Sequence, residues 1–255
     1  MTKKKSKANK ASSAKKAPRK VSTKAKSRTI IATKTAIHGF DNGEILVLQQ
    51  SLLIAKAFEQ NASREFSHNF LQILSKSVPT YSTQTFTNPA YRIVPPGKQN
   101  LALDDKGTFA AGGRVNIGMK QQDPLFTGPI SYAYGGIYCS KEASTAQREF
   151  ESVAPGAFDL AELNHATSKF TLIDFDAVVR DFDLLLFPES LSARINSAPF
   201  HGSWKFQPFP LASQILGNWL RLHAGEKADG LFFRSTKDPQ GTNFFIFSPH
   251  DWVIN

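Results

Sequence analysis

Ala111-Gly112-Gly113-Arg114-Val115-Asn116-Ile117-Gly118 is followed by Gly136-Ile137-Tyr138-Cys139-Ser140 and then by Ala143-Ser144-Thr145-Ala146-Gln147-Arg148-Glu149. Gly112 and Gly113 leave room for a close backbone approach, and the guanidinium beside them matches paired phosphate oxygens. A tyrosine closing an apolar run offers a flat ring, and Glu149 adds a carboxylate on the next element. The three together suit an anionic ligand that carries an aromatic ring, which points to a dinucleotide.

The pattern around this stretch predicts alternating local structure. Ile137 to Ser140 reads as a short strand, with Ser140 placed to cap a helix from Ala143 to Ser152 and Glu142 in its first turn. Ala143, Ala146 and Phe150 fall on one side of that helix, so Glu149 belongs at the rim of a core. Tyr91 to Val94 is a strand stopped by Pro95 and Pro96. Further on, Phe170 to Phe175 reads as a strand, and Leu211, Ile215, Trp219 and Leu222 give a helix ending near Gly225. Strands at Gly230–Arg234 and Asn243–Phe247 are joined by the turn Asp238-Pro239-Gln240-Gly241. The region 78–135, rich in Pro, Gly, Thr and Tyr, reads as strands and loops. Strands and helices without regular alternation argue for an α+β fold over a doubly wound sheet.

Upstream, Ile45, Leu46, Leu48, Leu52, Leu53 and Ala57 recur at helical spacing, and Phe66, Phe70, Ile73 and Leu74 repeat the pattern. Two amphipathic helices are expected, over about 44–60 and 62–77. Their apolar faces pack on the following domain or receive a partner.

The charge is unevenly placed. Residues 1–34 hold 13 of the 31 Lys and Arg and no acidic residue, leaving 18 basic against 21 acidic residues in the rest. The net charge of +10 therefore belongs to a Lys/Ala/Ser-rich tail, which buries too little surface to offset its ordering entropy and is expected to be disordered. It serves either as a sequence-independent grip on nucleic acid or as a solubilising extension. Delivery of the protein into another cell is a third role for it. The tail lacks the apolar core of a signal peptide, and no run of 18 apolar residues predicts a membrane span. One cysteine, Cys139, excludes an internal disulfide framework and a Cys-rich zinc site; it fits a reducing compartment, and cytoplasm is the expected location. Six histidines show neither metal nor triad spacing, so no metal is expected.

The order Tyr91-Arg92-Ile93, Gly113-Arg114-x-Asn116, Ile137-Tyr138-x-Ser140, Ala146-x-x-Glu149 and Ala228-Asp229-Gly230-Leu231-Phe232-Phe233-Arg234-Ser235 resembles the RES domain, named for its Arg, Glu and Ser. The resemblance runs from about residue 89 to residue 250 and takes in Gln214 and Asn243. It implies an ADP-ribosyltransferase-like fold, a mixed sheet with flanking helices, that binds and consumes NAD. Usually such a domain is the toxin of a bacterial toxin–antitoxin pair with an Xre-type antitoxin. Val115 stands where the family carries Trp, and the 24-residue interval from Arg114 to Tyr138 exceeds the family's. An insertion over about 119–135 is expected, bringing Tyr132 and Tyr134 as rival aromatic candidates.

Charge and apolar spacing set off a tail (1–34) and a helical region (35–88), and the remainder is the RES-like NAD-binding domain (89–255) of the resemblance. The resemblance implies catalytic roles for Glu149, Tyr138 and Ser235, and NAD contacts from Arg92, Arg114, Asn116 and Tyr138. Glu149 would stabilise the oxocarbenium-like charge that develops on ribose as nicotinamide leaves. Arg92 and Arg114 would hold the diphosphate, Tyr138 would stack on nicotinamide, and Ser235 would orient the amide or the carboxylate. The acceptor is water or phosphate for a glycohydrolase or phosphorylase, or a protein or nucleotide group for an ADP-ribosyltransferase. A different class of reading is a non-catalytic nucleic-acid-binding protein that works through its basic tail.

Overall fold

A computed structural model describes residues 37–38, 40–57, 64–121, 133–151, 156–186 and 210–255. The tail 1–34, its expected disorder, and Tyr132 lie outside the described residues.

Ten strands occur among the described residues: β1 (Ile37–His38), β2 (Val78–Pro79), β3 (Thr83–Thr87), β4 (Ala90–Val94), β5 (Ile137–Ser140), β6 (Asp159–His165), β7 (Lys169–Asp174), β8 (Gly230–Arg234), β9 (Thr242–Ile246) and β10 (Trp252–Ile254). β1 and β2 pair with each other, and the other eight form one sheet in the order β10-β6-β4-β5-β9-β8-β7-β3. Neighbours are antiparallel except β7 and β8. The helices are α1 (Asn42–Ala57), α2 (Arg64–Leu74), α3 (Lys106–Ala111), α4 (Ala143–Glu151), α5 (Phe175–Leu186) and α6 (Ala212–Ala224). The architecture is thus α+β, a mixed sheet with flanking helices.

Side chains on β8 and β9 alternate between two cores, as a period of two requires. Leu231, Phe233 and Phe245 join Phe66, Phe70, Phe182, Ile215, Leu216 and Trp219 on the helical face. Phe244 and Ile246 join Phe86, Phe170, Leu172 and Trp252 on the other face. That second core is closed by curling: Trp252 of edge strand β10 meets Phe170 of β7 with ring centroids 4.7 Å apart. Asn88 fixes the same closure by exchanging hydrogen bonds with the backbone of His165.

Two strands in the middle of the sheet barely touch. β4 runs beside β6 over five register pairs, but it meets β5 at one, Tyr91 with Ser140. The sheet therefore splays between β4 and β5, and the side chains on the facing edges line a gap.

Upstream, Asp41 and Glu44 form a reciprocal capping box that starts α1. α2 buries Phe66, Phe70, Leu71, Ile73 and Leu74, each large side chain contributing about 1.5–3 kcal/mol. Trp219 of α6 donates its indole N–H to the Ser77 carbonyl, tying this region to α6. On α1, Leu48 is fully buried but Leu46, Val47 and Leu53 face solvent.

Three local expectations are corrected. Phe175 does not end a strand; it begins α5, where Val178, Val179, Phe182 and Leu186 fall at helical spacing and the Asp174 carboxylate accepts from the Ala177 N–H. Leu222 lies on the solvent side of α6, whose buried stripe runs instead through Ala212, Ile215, Leu216, Trp219 and Leu220. Ser140 does not cap α4, because its hydroxyl donates to Asn243 across the sheet.

Candidate active site

The gap between β4 and β5 opens into a cleft of about 670 Å³, lined among others by Tyr91, Arg92, Gly113, Arg114, Tyr138, Ser140, Glu149 and Asn243. Four of the six candidate residues, Arg92, Arg114, Tyr138 and Glu149, thus face one space. A second hollow of about 510 Å³ adjoins it, with Arg114, Phe233 and Thr236 in both walls and Asp174, Asp176, Arg180 and Ser235 lining the second alone.

Glu149 projects from the last turn of α4. Its Oε1 accepts from the Ser235 hydroxyl at 2.5 Å and from Asn243 Nδ2 at 2.7 Å. Both donors are themselves oriented. The Ser235 oxygen accepts from the backbone N–H groups of Lys237 and Asp238, so its proton is left for the carboxylate. The Asn243 oxygen accepts from Ser140, which turns the amide N–H₂ toward Glu149. Nearby, Arg148 pairs with Asp238 at 2.8 Å and Lys141 with Glu142 at 3.6 Å.

Tyr138 comes from the middle of β5, and its ring rests on Phe245 with centroids 4.6 Å apart. Its hydroxyl accepts from the Val115 N–H and donates to Asn116 Oδ1. Burial pushes its ionisation far above the ordinary phenol range, with hydrogen bonds from the glycine turn and the Arg114 charge opposing. The phenol is therefore neutral, and its flat ring faces the cleft. A Cβ on Gly113 would run into this ring, so Gly113 is demanded by the tyrosine at this point of the turn. Gly112 adopts φ +73°, a conformation that L side chains rarely take.

Asn116 does not line the cleft. It is fully buried, donates to the carbonyls of Thr108 and Tyr134, and accepts from Tyr138. Gln214 of α6 completes the support: its amide donates to the carbonyls of Gly113 and Asn116 and its oxygen accepts from the Leu211 N–H. Tyr134 is buried behind the turn, its hydroxyl donating to the Val115 carbonyl, so it is no rival to Tyr138 for the cleft.

The two arginines differ. Arg92 on β4 is half-buried and spends one end of its guanidinium on the carbonyls of Ala102 and Asp104, and burial lowers its pKa. Arg114 lies over the Phe233 ring at 4.8 Å and, among the described residues, donates to the Arg234 carbonyl. Cys139 also reaches the cleft wall, where burial pushes its thiol up to about 12, partly opposed by Arg92; a thiol at that value is a poor nucleophile.

Sequence reasoning assigned no role to Asn243 or Asp238. Asn243 was visible as the residue opening the last strand, but its partner is 94 positions away. Asp238 was legible as a turn residue only.

No curated protein matches the chain. Among solved structures, the chain is similar to one in the M. tuberculosis MbcT–MbcA toxin–antitoxin complex, at 13% identity and a TM-score of 0.43, over 73% of this chain and 88% of that one. The family model for the RES domain matches residues 89–253, a span that holds every element of the cleft. On that match the chain belongs to the RES domain family.

Proposed function

We propose that the protein cleaves the nicotinamide N-glycosidic bond of NAD. The observation that carries this reading is Glu149, a carboxylate on the cleft wall with two oriented donors on one oxygen. As the C1′–N bond breaks, its electron pair passes to the pyridinium nitrogen and neutral nicotinamide leaves. The ribose ring gains positive charge, and a fixed carboxylate stabilises that charge without reorganising. The Tyr138 ring stacks on nicotinamide, and its neutral hydroxyl serves the glycine turn and not proton transfer. Arg114 stands where the two hollows meet, so a diphosphate placed on it sends nicotinamide riboside toward Glu149 and adenosine toward the second hollow. Arg92 adds positive charge to the same wall. Ser235 acts on the carboxylate and not on the amide, and Asn116 acts through Tyr138.

The acceptor is water or phosphate. With water, attack at C1′ and loss of one proton give ADP-ribose; with phosphate, the product is the ADP-ribosyl phosphate. Transfer to a protein or nucleotide is the alternative for the same site. Membership of the RES domain family supports a toxin held in check by a protein antitoxin, and an Xre-type partner is the family's usual one. The tail would add a non-specific grip on nucleic acid. Purified protein incubated with NAD is expected to release nicotinamide, and mass analysis of the second product identifies the acceptor. NAD left intact overturns the reading.

A further inference from the structure

Asp238 sits in the β8–β9 turn with its side chain almost fully covered, and both carboxylate oxygens are taken by α4, the helix that carries Glu149. Thr145 Oγ1 donates to Oδ2 at 2.8 Å and Arg148 Nη1 to Oδ1 at 2.8 Å. Thr145 has one proton and a second carboxylate within reach, Glu142 at 3.3 Å; the shorter contact assigns that proton to Asp238. The turn passes so close to α4 that a Cβ on Gly241 would strike Thr145. Its backbone is also closed by the Gly241 N–H on the Asp238 carbonyl.

The consequence lies at Ser235. A hydroxyl has one proton and two acceptor sites, and here the N–H groups of residues 237 and 238 fill the acceptor sites at 3.1 and 2.8 Å. Those N–H groups point at Ser235 only while the turn keeps its shape, and the Asp238 side chain is what fastens the turn to α4. The geometry points to Asp238 as a positioning residue for Glu149: by clamping the turn against Thr145 and Arg148 it fixes the direction of the Ser235 proton, and with it one of the two donors on the catalytic carboxylate. The clamp also explains a one-turn spacing on α4. Thr145, Arg148 and Glu149 share adjoining faces of the helix, so one helix holds both the carboxylate and the anchor of its donor.

This inference rests on the NAD-cleaving reading for its kinetic consequence but not for its geometry. Asp238→Ala is expected to lower kcat for NAD about tenfold or more while KM stays within about threefold, because the donor acts on charge that develops in the transition state. Ser235→Ala should show the same split, and the double variant should be no slower than Ser235→Ala alone, since the two act along one path. Thr145→Ser should keep activity and Thr145→Val should lose it. Should Asp238→Ala fail to fold, Asp238→Asn keeps an oxygen for Thr145 and is expected to fall between it and wild type. Unchanged kcat, or effects that multiply in the double variant, would overturn the assignment. Hydrogen exchange separates it from the functional reading: the amides of residues 237 and 238 should lose protection in the Asp238 variants whether or not the wild-type protein consumes NAD. Retained protection there overturns the clamp, whereas a wild-type protein inert toward NAD overturns the function.

Discussion

Glu149 and Arg114 face the same cleft from opposite supports. Glu149 is reached by side chains from two strand ends, each oriented by a further hydrogen bond, so its position is over-determined. Arg114 leans on the Phe233 ring and, among the described residues, donates to the Arg234 carbonyl. A carboxylate meant to meet developing charge gains from rigidity, because a donor or charge already in place costs nothing to reorganise. Under the proposed function, an arginine that binds a flexible diphosphate would gain from spare donors, and a guanidinium has five N–H groups.

Breaking the rigid end should cost most in kcat. Asn243→Ala removes one donor to Glu149 and is expected to lower kcat about 100-fold with little change in KM, measured by steady-state nicotinamide release. Breaking the adaptable end should act on binding. Arg114→Ala is expected to reduce kcat/KM for NAD about 10- to 100-fold, mainly through KM, with Arg114→Lys closer to Ala than to wild type because the fork is lost. Nicotinamide mononucleotide, which has no diphosphate bridge and no adenosine, should be much less sensitive to the same change. Equal losses for both substrates would remove the diphosphate from Arg114.

The glycine turn sharpens the comparison, since it belongs to both ends. Gly113→Ala places a methyl group against the Tyr138 ring, and a cost of about 1–3 kcal/mol is expected in denaturant unfolding. The smallest effect belongs to Cys139, buried with its thiol pushed up to about 12. Native protein should resist alkylation at neutral pH, reacting only as the solution approaches that value or as the fold opens.

The cleft residues were legible because they sit in short motifs whose chemistry is local: glycines before an arginine, a tyrosine ending an apolar run, a carboxylate at the edge of a helical stripe. Ile137–Ser140, Gly230–Arg234 and the helix of Glu149 have the elements those motifs predict. What was hidden depends on contacts far apart in sequence. The donor role of Asn243 arises from a turn that brings the last hairpin against α4, 94 positions away, whereas for Ser235 the carboxylate was one of the two partners expected. The buried service of Asn116 was hidden for a similar reason, because its amide closes on Thr108 and Tyr134 and not on a ligand. α5 escaped because Asp174, whose carboxylate accepts from the Ala177 N–H at the start of the helix, was read as part of the strand Phe170–Phe175. The splay between β4 and β5, which makes the cleft, has no sequence signal at all; β4 keeps β6 along its whole length but meets β5 at one register pair.

The most direct test of the central claim compares nicotinamide release from NAD by wild-type protein and Glu149→Gln at equal concentration, with unfolding temperatures recorded for both. Gln keeps the shape of the side chain and removes its charge, so release is expected to fall by about 1000-fold or more at nearly the same unfolding temperature. Release within about fivefold of wild type would contradict the assignment of Glu149 as the residue that stabilises the ribosyl cation.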